Sequence, residues 1–316
     1  MNLVLKREKQ DIFKRSLFVG VALILSYIVM LLLSISLSSI FYALGFDKDK
    51  ILSIYNDNYY GYFINSFIMS ISFVFPLLLI KCATKEPIYV TARFNKPNKF
   101  WFLTIFFVLG MAMIANYATG VFDEILENVF QFTPVQPEIG SSNYFSAFEW
   151  LFVIINSALI PALIEEFAFR GMILGSLRKY GDMPAILISA LLFAFFHQNF
   201  VQIPFAFIVG VALGIAFVVT ESIWVGIIAH FLNNSLALLL NELSKTYVLT
   251  AAIIMYSVLI IGIFSFVFLK KTNAFKMLNL QVSYLSKTSK FFRMLFNPAI
   301  VIFIAGMCYV ALLNRA

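Results

Sequence analysis

The chain has two histidines, and both fall in stretches apolar enough to lie in hydrocarbon. His197 closes Phe193-Ala-Phe-Phe-His197, and His230 opens His230-Phe-Leu-Asn233-Asn234. Upstream, a third apolar stretch ends in Glu165-Glu166-Phe-Ala-Phe-Arg170. A charge at the centre of a bilayer costs roughly 2.5–3.5 kcal/mol on insertion scales. Two adjacent carboxylates, an Arg, both His and two Asn all fall between residues 165 and 234. A membrane chain that concentrates such costs in one region uses the groups together.

Each motif has a chemistry and a structural alternative. On a helix, Glu166 and Arg170 are four apart and pair along one face. Glu165 then points about 100° away and is the less neutralised carboxylate, free to serve as a general base. The alternative is a Glu–Arg pair that ends a helix near the membrane boundary. His197 alone reads as a helix histidine bonded to a neighbour, and so does His230 alone. Asn234 shares the His230 face at four residues, with Asn233 close to it at three. A His and an Asn projecting together can donate to one oxygen, as an oxyanion hole requires. The alternative is hydrogen-bonding glue between helices. Taken together, the three motifs come from three apolar segments in one part of the chain, and no other segment carries a comparable polar set.

Glu165-Glu166-x-x-x-Arg170, Phe193-x-x-x-His197 and His230-x-x-x-Asn234 resemble, in order and spacing, the signature motifs of the CAAX protease and bacteriocin-processing family, also called the Abi family. That family includes the type II CAAX prenyl endopeptidases. The resemblance covers roughly residues 147–241. It implies intramembrane proteolysis inside a helical bundle, with a peptide or membrane-anchored protein as substrate. By position it implies that Glu165 activates water with help from His197, that Glu166 and Arg170 support it, and that His230 and Asn234 bind the oxyanion. Asn233 is the second choice for the last role. Members have been described with and without metal. Glu165, His197 and His230 are the ligand set zinc would take, but no HExxH helix is present, and water activated without a cofactor is the preferred reading. The competing readings are a non-catalytic bacteriocin-immunity or scaffold protein and a small-solute transporter. The absence of an internal repeat counts against the last.

The elements that must position these groups are membrane helices. The chain is 61% hydrophobic and 12% charged, about half the charge of a soluble domain. An all-α polytopic bundle of about 8–9 transmembrane helices is expected, with spans near 16–44, 61–82, 100–118, 147–170, 184–198, 202–219, 222–241, 248–269 and 296–313. The expected organisation is an N-terminal membrane region at 1–146, a catalytic core at 147–241, and C-terminal spans at 242–316. The loops 1–15, 83–99, 171–183, 220–221 and 270–295, with the adjacent span ends, hold 19 of the 23 Lys and Arg. Lys48, Lys50, Lys245 and Arg315 make up the remainder. This asymmetry predicts a cytoplasmic N-terminus and explains the net charge of +7 without nucleic acid. The basic N-terminus precedes an apolar run too long for a cleaved signal peptide, so the first span is expected to be retained. The resemblance is widespread among bacteria, and a bacterial plasma membrane is the expected location.

Further expectations concern details. The segment 119–146, with Asp123, Glu124, Glu127, Glu138, Pro134 and Pro137, reads as an acidic exoplasmic loop, with an interfacial lid as the alternative. The segment 272–295 reads as an amphipathic connector lying on the membrane surface. Cys82 and Cys308 lack metal or disulfide spacing. Gly210-x-x-x-Gly214 reads as a packing motif, and Pro161 as a kink, either a simple packing kink or one that frees carbonyls near the site. A rise of 1.5 Å per residue from these boundaries puts Glu165 in the inner half of the membrane and His197 nearer the outer side. One site needs them level, which requires the fifth span to start near Gly181 or helices there to be tilted or broken.

Overall fold

The computed structural model describes residues 2–55, 60–133, 146–278 and 284–313. Among these residues the chain is helical and contains no strand. The helices are α1 (Asn2–Ala43), α2 (Lys48–Tyr55), α3 (Tyr60–Thr84), α4 (Ile88–Ala92), α5 (Trp101–Asn128), α6 (Phe148–Tyr180), α7 (Asp182–Phe196), α8 (Gln202–Thr220), α9 (Ile223–Thr246), α10 (Val248–Lys271), α11 (Lys287–Leu295) and α12 (Pro298–Leu313). Seven are long and apolar enough to cross a membrane: α1, α3, α5, α6, α8, α9 and α10. The bent pair α11–α12, which turns by 62°, makes eight. The expected fifth span is α7, only 15 residues long.

Some boundaries differ from expectation. α5 continues to Asn128, so Asp123, Glu124 and Glu127 extend a helix instead of forming a loop. Glu138, Pro134 and Pro137 lie outside the described residues, as does Arg315. α11 does not rest on the bilayer alone. It packs against α1 and α7, burying Lys290 and Met294 while Phe292 and Phe296 stay exposed.

The five segments expected on one side of the membrane meet at one end of the bundle. Arg15 of α1 bonds Glu86 at 2.7 Å, and Lys179 bonds Asp11 at 3.0 Å. Arg178 bridges Asp182 at 2.9 Å and Glu221 at 3.1 Å, and Arg93 also pairs with Glu221. The 93–98 segment is laced to the α8–α9 turn by Asn98 to the Val219 carbonyl and Ser222 to the Asn95 carbonyl, each at 2.7 Å. Tyr284 donates its backbone N–H to Glu8 at 3.2 Å. Outside the spans, burial beside the Arg178 cation pulls the Arg93 guanidinium down to about 10.

α6 carries the carboxylate motif and is not a uniform α-helix. It starts from a capping box in which Ser146 and Glu149 satisfy each other's backbone N–H groups. It is π-wound at Ile155–Leu159 and again at Glu166–Leu174. Pro161 accounts for the first of these. Its ring would collide with the carbonyl four residues back, and it has no N–H to give, so a wider turn relieves both problems. Wide turns of this kind are frequent at functional sites. The second turn begins at Glu166 and displaces the following side chains from α spacing.

α6 and α7 then form a tight antiparallel pair around Gly181, whose φ of +138° lies where a side chain would be strained. Gly181 is sixteen residues after Glu165 and sixteen before His197. Phe169 and Phe193 are each twelve residues from it, and their rings meet at 5.2 Å. The two arms therefore bring Glu165 and His197 to one depth. The expected spans placed them apart because the fourth was ended at 170, ten residues short of the end of α6 at Tyr180.

Candidate active site

Glu165, His197, His230, Asn233 and Asn234 line one cavity of about 240 Å³. Ser157 and Pro161 of α6, Phe193 of α7, and Phe205, Ala206 and Val209 of α8 complete its wall. Polar groups converge from α6, α7 and α9, and the opposite wall is largely apolar. That is the usual make-up of a small-molecule or peptide site.

Glu166 and Arg170 stand behind this cavity. Both are buried, with Glu166 at 0% and Arg170 at 1% exposure. Arg170 donates to Glu166 Oε1 at 2.8 Å, and from its other terminal nitrogen to the Gly210 carbonyl at 3.2 Å. Its guanidinium also lies over the Phe193 ring at 4.5 Å. The expected i,i+4 pair is thus present, with a third anchor on α8. Gly210 and Gly214 lie close against α7, where added methyls would meet Ala190 and Ile186.

His230 connects the two carboxylates. Its Nδ1 is 2.9 Å from Glu166 Oε1, and its Nε2 is 3.7 Å from Glu165 Oε2. A carboxylate oxygen accepts, so Nδ1–H donates to Glu166 and Nε2 faces Glu165 and the cavity. His197 is fixed differently. Its Nδ1 is 2.9 Å from the Phe193 carbonyl, which can only accept, so Nδ1 holds the proton and Nε2 carries the lone pair. The Phe193 ring sits edge-to-face with both histidines, at 4.8 Å from His197 and 5.9 Å from His230. One aromatic residue therefore sets the spacing between the two imidazoles and the guanidinium.

Asn233 is buried and donates from Nδ2 to Asn234 Oδ1 at 3.2 Å. The Asn234 carbonyl is thereby occupied, which leaves its amide N–H groups as the donors. Ser157 Oγ is buried in the cavity wall with no bonding partner among the described residues. Sequence reasoning did not single out Ser157, Phe205 or Val209, since a Ser in a helix and apolar residues in a span carry no distinguishing pattern. Among the described residues no three His, Cys, Asp or Glu side chains form a metal-holding group. Glu165, His197 and His230 share a cavity without converging on one point, so the residues as placed do not fit a zinc ion and no chemical step is routed through one.

Residues 147–236 match the model of the Rce1-like type II CAAX prenyl endopeptidase family. That segment runs from the start of α6 to the middle of α9 and contains all three motifs. By this similarity the chain is a peptide-bond hydrolase, and its long apolar helices are those of a polytopic membrane protein. The protease is also similar to the membrane-embedded CAAX protease MroQ of Staphylococcus aureus strain USA300. The two are 27% identical over 175 residues, covering 53% of this chain and 69% of the relative. No solved structure matches the protease. Its substrate is a peptide or protein in the membrane.

Proposed function

We propose that the protease cleaves its substrate by attack of a water activated by Glu165. Glu165 is the one motif carboxylate on the cavity wall, with Glu166 committed to Arg170 and His230. The single observation that carries the reading is the meeting of Glu165, His197, His230 and Asn234 in one cavity across three helices. Water bound between Glu165 and the His197 Nε2 lone pair gives up its proton to Glu165 as it attacks the peptide carbonyl. Such a positioned base is worth typically 10²–10⁴ in rate. Charge then develops on the carbonyl oxygen. Asn234, with its Oδ1 already taken by Asn233, offers a fixed N–H to that oxygen, and His230 adds a second when Nε2 carries a proton. Glu165 returns the proton to the leaving amine, so no net proton is consumed.

The protease works in a bacterial plasma membrane with its N-terminus cytoplasmic, so the Gly181 end of the bundle faces the cytoplasm. The basic residues gathered at that end support this orientation. The substrate is a membrane-anchored protein or peptide, and prenylation of it is the variable to test.

The test is cleavage in liposomes of a panel of peptides with free, prenylated and leader-type termini, together with proteomics of membranes holding wild type or Glu165→Gln. Glu165→Gln is expected to lose ~10²-fold or more of kcat, as removal of a general base does, and uncleaved substrate should accumulate. Full turnover by the variant overturns the role of Glu165. Turnover should withstand a chelator, and loss reversed by added zinc overturns the metal-free step.

A further inference from the structure

Gly226 lies one helical turn before His230, on the same face of α9. A methyl group placed on it would meet Glu166 Oε2 at 2.8 Å and the Glu166 carboxyl carbon at 3.5 Å. The α9 backbone therefore abuts a fully buried carboxylate with no room to spare. That carboxylate uses its other oxygen, Oε1, for both Arg170 and His230. Any rotation of the carboxylate away from α9 would move Oε1 off one or both partners. We infer that Gly226 is a positioning residue for the proteolytic site: it is the space that fixes the Glu166 carboxylate and, through it, the His230 ring. The inference rests on the catalytic reading above, and it adds a residue that sits outside the three motifs and touches no substrate.

Gly214 supplies the contrast. A methyl there meets Ile186 Cγ2 at 2.9 Å, a comparably tight approach, but against an apolar side chain of α7 instead of a carboxylate. If glycine at these positions served packing alone, the two alanine variants would behave alike.

The experiment measures thermal unfolding in detergent and peptide cleavage for Gly226→Ala, Gly214→Ala, Glu166→Asp and the double variant Gly226→Ala with Glu166→Asp. Aspartate is one methylene shorter and withdraws from the added methyl. In the thermal cycle, Glu166→Asp should lower the midpoint clearly in the wild-type background and far less, or not at all, beside Gly226→Ala. Additive shifts overturn the inference, and they do so whether or not any peptide is cleaved. In the cleavage assay, Gly226→Ala should lose ~10²-fold in kcat with KM little changed, the size expected of an ångström-scale displacement of a catalytic group. Gly214→Ala that folds should keep its kcat. Equal losses in the two variants overturn the inference. If the wild-type protein cleaves no peptide in the panel, the catalytic reading fails and the thermal cycle alone decides whether Gly226 holds Glu166.

Discussion

Two buried ion pairs with the same i,i+4 spacing lie close along the chain, Glu166–Arg170 and Arg178–Asp182, with Arg170 and Arg178 eight residues apart. The first is within one helix. Its third partner is His230, at the cavity, and its fourth is a backbone carbonyl of α8. The second straddles the Gly181 turn, and its third partner, Glu221, is partly open to solvent at 28%. The spacing is shared, yet the pairs do different things. The inner pair holds a chemical group in place, and the outer pair holds the turn that sets the height at which that group meets His197. A Glu–Arg or Arg–Asp pattern in a sequence therefore carries little meaning until its third partner is known.

That contrast can be tested, beginning with the largest effect. Arg170→Met strands a carboxylate that is 0% exposed. Removal of one partner of a buried pair costs about 3–5 kcal/mol, so the thermal midpoint in detergent should fall steeply and cleavage should be lost. Adding Glu166→Gln should restore much of the midpoint while cleavage stays absent, which separates stability from chemistry within one pair. Next comes Arg178→Met. Asp182 loses a direct partner and the Glu221 link is cut, but water reaches the outer end, so a cost of about 1–3 kcal/mol is expected, in line with an unsatisfied hydrogen-bonded group. Cleavage should persist with a several-fold lower kcat. Should Arg178→Met abolish cleavage as fully as Arg170→Met, the division of labour between the pairs is wrong. The smallest effect is expected from Glu221→Gln, which weakens a partly exposed pairing by about 0–1 kcal/mol and should leave cleavage within twofold.

Residue type and spacing made the chemical groups legible in the sequence. Polar groups are costly in hydrocarbon, so Glu165, His197, His230 and Asn234 stood out against the surrounding Leu, Ile and Phe. Their common depth was not legible, because hydropathy measures how long an apolar run is and not where it starts to rise. The 15-residue α7 is shorter than the run a bilayer demands, and the π-wound turns of α6 leave no mark on hydropathy. Gly226 was invisible for another reason. A glycine in a membrane helix is ordinary, and only the backbone-to-carboxylate distance distinguishes this one. The gathering of the five basic segments at one end followed from charge counting, whereas the individual bonds between them, such as Asn98 to Val219 across the chain, depend on side-chain reach that no pattern encodes.

The two equal arms around Gly181 have a consequence for how this chain can change length. An extra residue between Glu165 and Gly181 would raise Glu165 by about 1.5 Å and swing it about 100° around its axis, while His197 stayed put. The same holds in mirror image for the arm that ends at His197. A deletion or insertion on one arm is survivable only if the other arm changes to match, or if a π-wound turn takes up the extra residue. The α6–α7 hairpin is in that sense a gauge with two jaws. Its length is a functional quantity in its own right, independent of the identity of most residues along it.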